Sequence, residues 1–391
     1  MNPPSPYLDK HPGYLGTPRA YESLRDWLTD HGAILYVASS HGLLTMDPEF
    51  LDRWTEAIVR ACQWIDFARN PHNHDGIQGV LPAGVDNDKG YEEQHVWNDA
   101  WTYKGLVEAA RLLKRLNHPR AREIQGWADD YRSDFQTAMR ESVRESRVWT
   151  APNGDEVPFI PTALGTAPKL LDKHFFYLDS GPMVLVWSGL MSADDPIMRA
   201  NVRWYREGPQ WRQYRRYSRH RQVPVLDREI SSCEPCYSWV YYHTLELGDR
   251  HRFSMGLYGL LAAGASQQTY VSSESWETIF GTVFSSATLV HLIVEAALEE
   301  RGDELHLMRM IPLAFLTNGG FTWQNVPTSF GPVSLKAELN DAETRLNIEL
   351  TPPSRFKPQA IYLHVPPIRD LEEIRVNGKT LDLKTGRIRL L

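Results

Sequence analysis

The stretch Leu106-Val-Glu-Ala-Ala-Arg-Leu-Leu-Lys-Arg-Leu-Asn-His-Pro-Arg-Ala-Arg-Glu-Ile124 decides how the chain folds. Leu106, Ala109, Leu113 and Leu116 recur at helical spacing, and so do Ile124, Trp127, Tyr131, Phe135 and Ala138 after the break. Between the two runs Asn117 tolerates the left-handed conformation that ends a helix, and Pro119 suits the start of the next. Two amphipathic helices joined by so short a break form an antiparallel hairpin. The same device is read at Glu246-Leu-Gly-Asp249 and at Glu300-Arg-Gly-Asp303, where Gly ends one helix and Asp caps another. Trp54, Ile58, Ala61 and Ile65 mark a further helix. Repeated hairpins predict a stacked or toroidal all-α architecture.

Beyond about residue 325 the apolar period changes from helical to two. Val333, Leu335, Ala337 and Leu339 alternate with polar residues, as do Leu346, Ile348 and Leu350, then Ile361, Leu363 and Val365. Asn377-Gly378 is a strong hairpin signal and Lys384-Thr-Gly386 a second. The expectation is a helical domain over 1–325 and a small C-terminal antiparallel β-sandwich over 326–391, with Gly, Pro, Thr and Asn gathered between 319 and 332.

The 391 residues, with 42% hydrophobic and 23% charged content, suit a globular protein and exclude disordered or collagen-like classes. A net charge of -7 argues against a general nucleic-acid binder. The uncharged run 278–294 carries several hydroxyl side chains and falls short of a membrane span, so it reads as a buried helix. Without a basic segment leading an apolar one at the N-terminus, a cytoplasmic location is the default expectation. Cys62, Cys233 and Cys236 are too few for a disulfide framework. Cys233-Glu-Pro-Cys236 lacks a second pair to complete a zinc site, so neither metal nor cofactor is expected.

Acidic and aromatic residues crowd the starts of the predicted helices: 84–101, 229–239 and 272–277. Carboxyl groups supply acid and base, and indole and phenol rings offer faces on which sugar rings stack, so the combination points to carbohydrate chemistry. The candidate catalytic carboxyls are Asp99, Glu277 and Glu234, with Glu92, Glu93 and Glu274 as weaker competitors. Tyr91, His95, Trp97, Trp101, Tyr237, Trp239 and Trp276 are the candidate substrate-binding residues. Each has a plain alternative. A first-turn acid also complements the helix dipole, worth ~0.3 to 1 kcal/mol. An aromatic residue at a helix start is often core, and a lone histidine such as His95 or His243 is usually a satisfied polar group.

Gly79-Val-Leu-Pro-Ala-Gly84, the Trp97-Asn-Asp-Ala-Trp101 turn with Gly105-Leu106, Ser275-Trp-Glu277, Phe330-Gly-Pro-Val-Ser334 and Val376-Asn-Gly378 together resemble the six-hairpin glycosidases and their α-L-rhamnosidase-like branch. The resemblance spans roughly 50–390. It implies a mainly α, (α/α)6-type toroid followed by a β-sandwich, and a glycoside hydrolase acting on an oligosaccharide or glycan side chain. It implies inversion, with Asp99 as acid and Glu277 as base. Inverting pairs stand ~6.5 to 9.5 Å apart, retaining pairs ~5 to 5.5 Å. Six hairpins need twelve helices, whereas the pattern yields nine or ten. The region 39–47 reads as too short for a complete helix, which leaves the toroid open on its N-terminal side or makes the chain a shortened relative.

Two other functions compete. A polysaccharide lyase would use Tyr91, His95, Asn98 and the Arg-rich stretch 203–221 against a uronate, although those arginines are better read as pairing with acids elsewhere. A glycan-binding or assembly-forming toroid without catalysis is the other, and a homo-oligomer is compatible with any of the three.

Overall fold

A computed structural model describes residues 11–15, 27–87, 90–165, 168–169, 177, 181–208, 229, 239–266, 268–275, 278–281, 283–317, 319–382 and 386–390. Its helices are α1 (Thr29–Thr45), α2 (Pro48–Ala68), α3 (Val96–Arg115), α4 (Ala121–Arg144), α5 (Val184–Ser188), α6 (Pro196–Glu207), α7 (Val240–Leu247), α8 (Arg250–Ala263) and α9 (Phe284–Ala297). The strands are β1 (Val148–Thr150), β2 (Glu156–Pro158), β3 (Ser273–Ser275), β4 (Thr278–Phe280), β5 (Leu298–Arg301), β6 (Glu304–Leu307), β7 (Phe321–Val326), β8 (Val333–Leu339), β9 (Arg345–Thr351), β10 (Ala360–His364), β11 (Glu373–Val376), β12 (Lys379–Leu381) and β13 (Arg387–Arg389). Helices therefore dominate the first three quarters of the chain and strands the last.

The helix boundaries follow local chemistry. Asp47 and Asp195 each stand before a proline and accept a backbone N–H two residues on, from Glu49 at 3.0 Å and Ile197 at 2.9 Å, which starts α2 and α6. Asn117 takes φ 53° between α3 and α4 as its side chain predicts, and Gly248 takes φ 71° between α7 and α8, where Asp249 accepts from Arg252 N at 3.1 Å. Both hairpins stand as read.

Two expectations about elements give way. Residues 39–45 are the last part of a full helix, α1, which runs 17 residues. Its signal is missing because its buried face carries His31 and Ser39 beside Leu35 and Leu43, while its exposed face carries Ile34 and Val37, so residue type does not follow burial. Glu300-Arg-Gly-Asp303 turns between β5 and β6, with Gly302 at φ 61°, and joins no helices. A glycine turn between polar residues serves a strand pair as readily as a helix pair.

α1 and α3 lie side by side and run in the same direction, since Gly32 sits against Thr102 and Gly105 against Gly32 and Leu35. The approach depends on the missing side chains: a Cβ on Gly105 would stand 2.5 Å from the Gly32 carbonyl oxygen. Gly105→Ala is expected to push the two helices apart and lower stability by ~1–3 kcal/mol, read as a shift in urea midpoint. An unchanged midpoint would mean the helices do not touch here.

The strands form two larger sheets. One has the order β13-β10-β6-β5, the other β12-β11-β9-β8-β7. The expected antiparallel pattern holds for most pairs, but β10 is parallel to β6 and β11 parallel to β9. The chain leaves β9 for the other sheet and then returns, and such crossings set strands of like direction together. The alternation in β8 is as read, with Val333, Leu335, Ala337 and Leu339 buried. Asn377 and Gly378 take φ 49° and 77° in the β11–β12 hairpin; residues 383–385 at the second expected turn lie outside the described set. β5 and β6 belong to the first sheet, so that sheet takes its first strand from Leu298 onward. α9 runs directly into β5, Arg355 donates to the Leu44 carbonyl at 3.0 Å, and Arg115 covers the Phe356 ring at 4.3 Å. The β part thus docks on the C-terminal ends of α1 and α3.

Among the described residues no helix is long and apolar enough to cross a membrane. No group of three or more His, Cys, Asp or Glu side chains among them could hold a metal ion.

Candidate functional site

Five rings from three separated stretches meet at one place. Trp97 and Trp101 come from the first two turns of α3, Trp187 from α5, Trp239 from the start of α7 and Tyr242 from its first turn. Trp101 and Trp187 are 4.6 Å apart between centroids, Trp187 and Trp239 4.9 Å, Trp239 and Tyr242 5.4 Å, and Trp97 and Trp239 5.6 Å. Tyr36 of α1 adds a sixth ring, 5.4 Å from Trp187. The rings cross edge to face or tilted for the most part, as their quadrupoles favour. The indole N–H groups of Trp101 and Trp239 are buried and have no hydrogen-bond acceptor among the described residues.

Trp97 and Trp101 share a face of α3 because they are four residues apart; Asp99, midway between them, is turned to the other side. Its side chain has no solvent exposure. Its Oδ1 accepts from the Leu81 N–H at 3.0 Å and from the Tyr131 hydroxyl of α4 at 2.6 Å. Burial pushes its carboxyl up to about 7, although Leu81, Tyr131 and the neighbouring Arg69 all favour the charged form. Asp99 is thus an interior strut between α3 and α4, and the acid expected to face a cleft does not reach the aromatic wall.

The other expected site residues divide. Trp97, Trp101 and Trp239 come together. Tyr91 is exposed in the loop before α3, and its carbonyl oxygen lies 2.9 Å from His95 Nε2. His95 is fully buried, with Nδ1 3.2 Å from Asp86 Oδ2, and burial lowers its pKa to about 4. It is held as a structural polar group, as is Asn98, which accepts from Thr29 Oγ1 at 2.5 Å and donates to the Val85 carbonyl at 3.2 Å. His243 is buried against the Ala193 carbonyl at 3.1 Å. Glu93 accepts the Lys169 N–H at 2.9 Å, and Glu92 is exposed. Arg203 pairs with Glu207 and Asp155, both at 2.8 Å, and Arg206 with Glu229 at 2.7 Å, so these two arginines serve ion pairs as the plainer reading has it. Glu234, Tyr237, Trp276, Glu277, both cysteines of the Cys-x-x-Cys pair and arginines 212–221 lie outside the described residues. β3 and β4 pair antiparallel, and the helix expected in this stretch begins at Phe284.

Beyond the aromatic wall, toward the C-terminal end of α3, is a cavity of about 290 Å³ that the sequence did not suggest. Tyr36, Trp187 and Tyr242 belong to both. Lys104, Glu108 and Arg111 form a charged stripe down α3, with Lys104–Glu108 at 3.0 Å and Arg111–Glu108 at 2.8 Å. Arg111 also reaches Glu300 at 3.2 Å. Burial works against the charge on Glu108, yet Lys104 and Arg111 outweigh it and hold the carboxyl below its usual range. Glu295 of α9 differs. Burial, reinforced by Glu299, pushes it up to about 8. Two carboxyls on one cavity are therefore driven in opposite directions. The stripe at i, i+4 and i+7 on a helix otherwise buried, and the acid that ends the uncharged run 278–294, are the signals that could have found this cavity.

No known family model matches the chain, and no curated protein matches it. Among solved structures, a GH78 family rhamnosidase of Bacillus sp. GL1 is similar, with a TM-score of 0.52 and 12% sequence identity over 94% of this chain. The match covers 36% of the rhamnosidase, so the chain spans about a third of that protein's length. At this identity the likeness is one of fold, a helical domain followed by β-strands.

Proposed function

We propose that the protein is a glycoside hydrolase acting on an oligosaccharide or a glycan side chain, with a carboxylic acid/base pair and inversion at the anomeric carbon. The observation that carries this is the meeting of Trp97, Trp101, Trp187, Trp239 and Tyr242 from three distant stretches at the starts of α3 and α7. Trp97, Trp239 and Tyr242 are buried and Trp101 and Trp187 half-buried, so the last two are the rings with a face left to offer to the C–H side of a sugar. The fold likeness to a rhamnosidase supports the same reading and makes α-L-rhamnosides the first substrates to try. On this reading the helices form an (α/α)6-type toroid around an axis shared by α1, α3, α5, α7 and α9, and the strands close its lower end. Glu277 is kept as the base, on the Ser275-Trp-Glu277 resemblance, and Asp99 gives up the role of acid.

The test is release of chromophore from a panel of nitrophenyl glycosides, α-L-rhamnoside among them, with the anomer of the product followed by proton NMR. Trp101→Ala is expected to raise KM about tenfold, equivalent to ~1.4 kcal/mol of lost binding, with a smaller change in kcat. No release from any member of the panel, or from natural polysaccharides, overturns the proposal. Product absorbance from a new double bond would point instead to a lyase.

A further inference from the structure

We propose that the cavity beneath the aromatic wall is a binding site for one neutral monosaccharide, held by Glu295 and His291 of α9 and by the rings of Tyr36, Trp187 and Tyr242. The inference rests on the glycan-directed reading above and adds a second site to it, displaced from the wall toward the C-terminal ends of the helices.

Size and shape come first. At about 290 Å³ the cavity stands near the lower limit of small-molecule pockets, ~300 Å³, which suits a single sugar ring. Three aromatic side chains and the aliphatic ones of Leu43, Leu44, Leu245, Val294, Leu298 and Pro327 line part of it, and hydrogen-bonding groups the rest. A pyranose has the same division, with C–H faces and a hydroxyl rim.

Charge then selects a neutral occupant. Lys104 and Arg111 are matched within the cavity wall by Glu108 and Glu300. Glu300 is occupied further by Ser329, whose N–H donates to it at 2.7 Å and whose hydroxyl donates to its other oxygen. Glu299 and Glu246 also border the cavity but face cations behind it: Arg309 lies 2.8 Å from Glu299, and Arg301 lies 2.9 Å from Glu299 and 2.6 Å from Glu246. Each of these acids is spoken for. The balance leaves no net attraction for an ion.

Glu295 stands apart from this pairing. Among the described residues its ion-pair contact is His291 Nδ1 at 3.9 Å, too long for a hydrogen bond. Its side chain keeps 26% of its surface, and it lines the cavity. Burial raises its carboxyl to about 8, against the pull of Lys104, and lowers the His291 ring to about 4, so both shifts favour the uncharged forms. A protonated carboxyl offers one donor and one acceptor, and a neutral imidazole offers the same. Two such groups one helical turn apart match the vicinal hydroxyls of a sugar, each of which can donate and accept.

The test is calorimetric titration of the full chain at pH 7 with D-glucose, D-galactose and L-rhamnose, against D-glucuronate and D-glucosamine as charged controls. Saturable binding of at least one neutral sugar, with Kd of about 10 mM or tighter, is expected, with neither charged sugar binding more strongly. Glu295→Gln keeps a neutral donor and acceptor and is expected to bind within about threefold of the parent, whereas Glu295→Ala weakens binding roughly tenfold or more. Ser40→Trp fills the cavity from α1 and is expected to abolish binding. Circular dichroism melting of each variant separates loss of binding from loss of fold, and Glu295→Ala, which only removes atoms, stands in should the tryptophan variant fail to fold. Absence of saturable binding, preference for a charged sugar, or binding that survives both Glu295→Ala and Ser40→Trp overturns the site. Hydrolysis assayed on the same preparations keeps the two proposals apart: turnover without monosaccharide binding removes this site alone, and binding without turnover removes the hydrolase alone.

Discussion

Glu277→Gln is expected to lower turnover of the best glycoside by ~10²–10⁴, the range that a positioned general base contributes. The substitution keeps the size of the side chain and its carbonyl acceptor, but the amide cannot take a proton from an attacking water. KM should change little, because the variant loses a proton acceptor and keeps its shape. Asp99→Asn provides the contrast. A side chain that is sealed from solvent and bonded to Leu81 and Tyr131 touches no substrate, so turnover should remain within about tenfold of the parent. If Asp99→Asn and Glu277→Gln lower kcat equally, the acid does reach substrate and its burial is relieved when substrate binds. If Glu277→Gln leaves kcat intact, the base is another carboxyl.

Asp99→Asn has its large effect on how stability depends on pH. The folded-state pKa of Asp99 is raised to about 7, against 3.8 for the unperturbed group. Between those values the native protein holds one more proton than the unfolded chain, so stability falls as pH rises and the loss is complete above the folded pKa. A shift of about three units corresponds to roughly 4 kcal/mol across that window. Asparagine cannot titrate, so this part of the slope should vanish. Its carbonyl can accept the same bonds from Leu81 and Tyr131, while its amide N–H, placed where Oδ2 has no partner among the described residues, costs ~1–3 kcal/mol at every pH. The variant is therefore expected to gain about 3 kcal/mol on the parent between pH 5 and pH 8, and to equal or exceed it at pH 8. Urea midpoints at pH 5, 6, 7 and 8 would show this. An unchanged slope in the variant, which would leave it weaker at pH 8 by as much as at pH 5, would place the pH-sensitive carboxyl elsewhere.

The hairpins at Asn117 and at Gly248–Asp249, the period-two strands β8 and β9, and the Asn377–Gly378 turn were all legible, because each depends on residues within a few positions of one another. α1 was not legible in full. A helix that buries His31 and Ser39 and exposes Ile34 and Val37 shows no amphipathic period, and Ser39, His41 and Gly42 contribute little propensity to offset that. The turn at Gly302 was placed correctly but joined to the wrong elements, since the same residues end a helix or link two strands.

Chemistry-bearing residue types and local geometry are properties of the chain alone: carboxyls and aromatic rings crowd the helix starts, and a helix must turn Asp99 away from the face that Trp97 and Trp101 share. Which of those faces meets solvent, and which meets Tyr131, is decided by the packing of α3 against α4. The same holds for Glu295, whose neighbours in sequence are apolar, whereas the groups that raise its pKa come from the enclosing fold and from Glu299 across the helix-to-strand junction. Pairs such as Lys104–Glu108 lie within one helix turn, but burial is a sum over residues distant in sequence, so tertiary structure alone sets it.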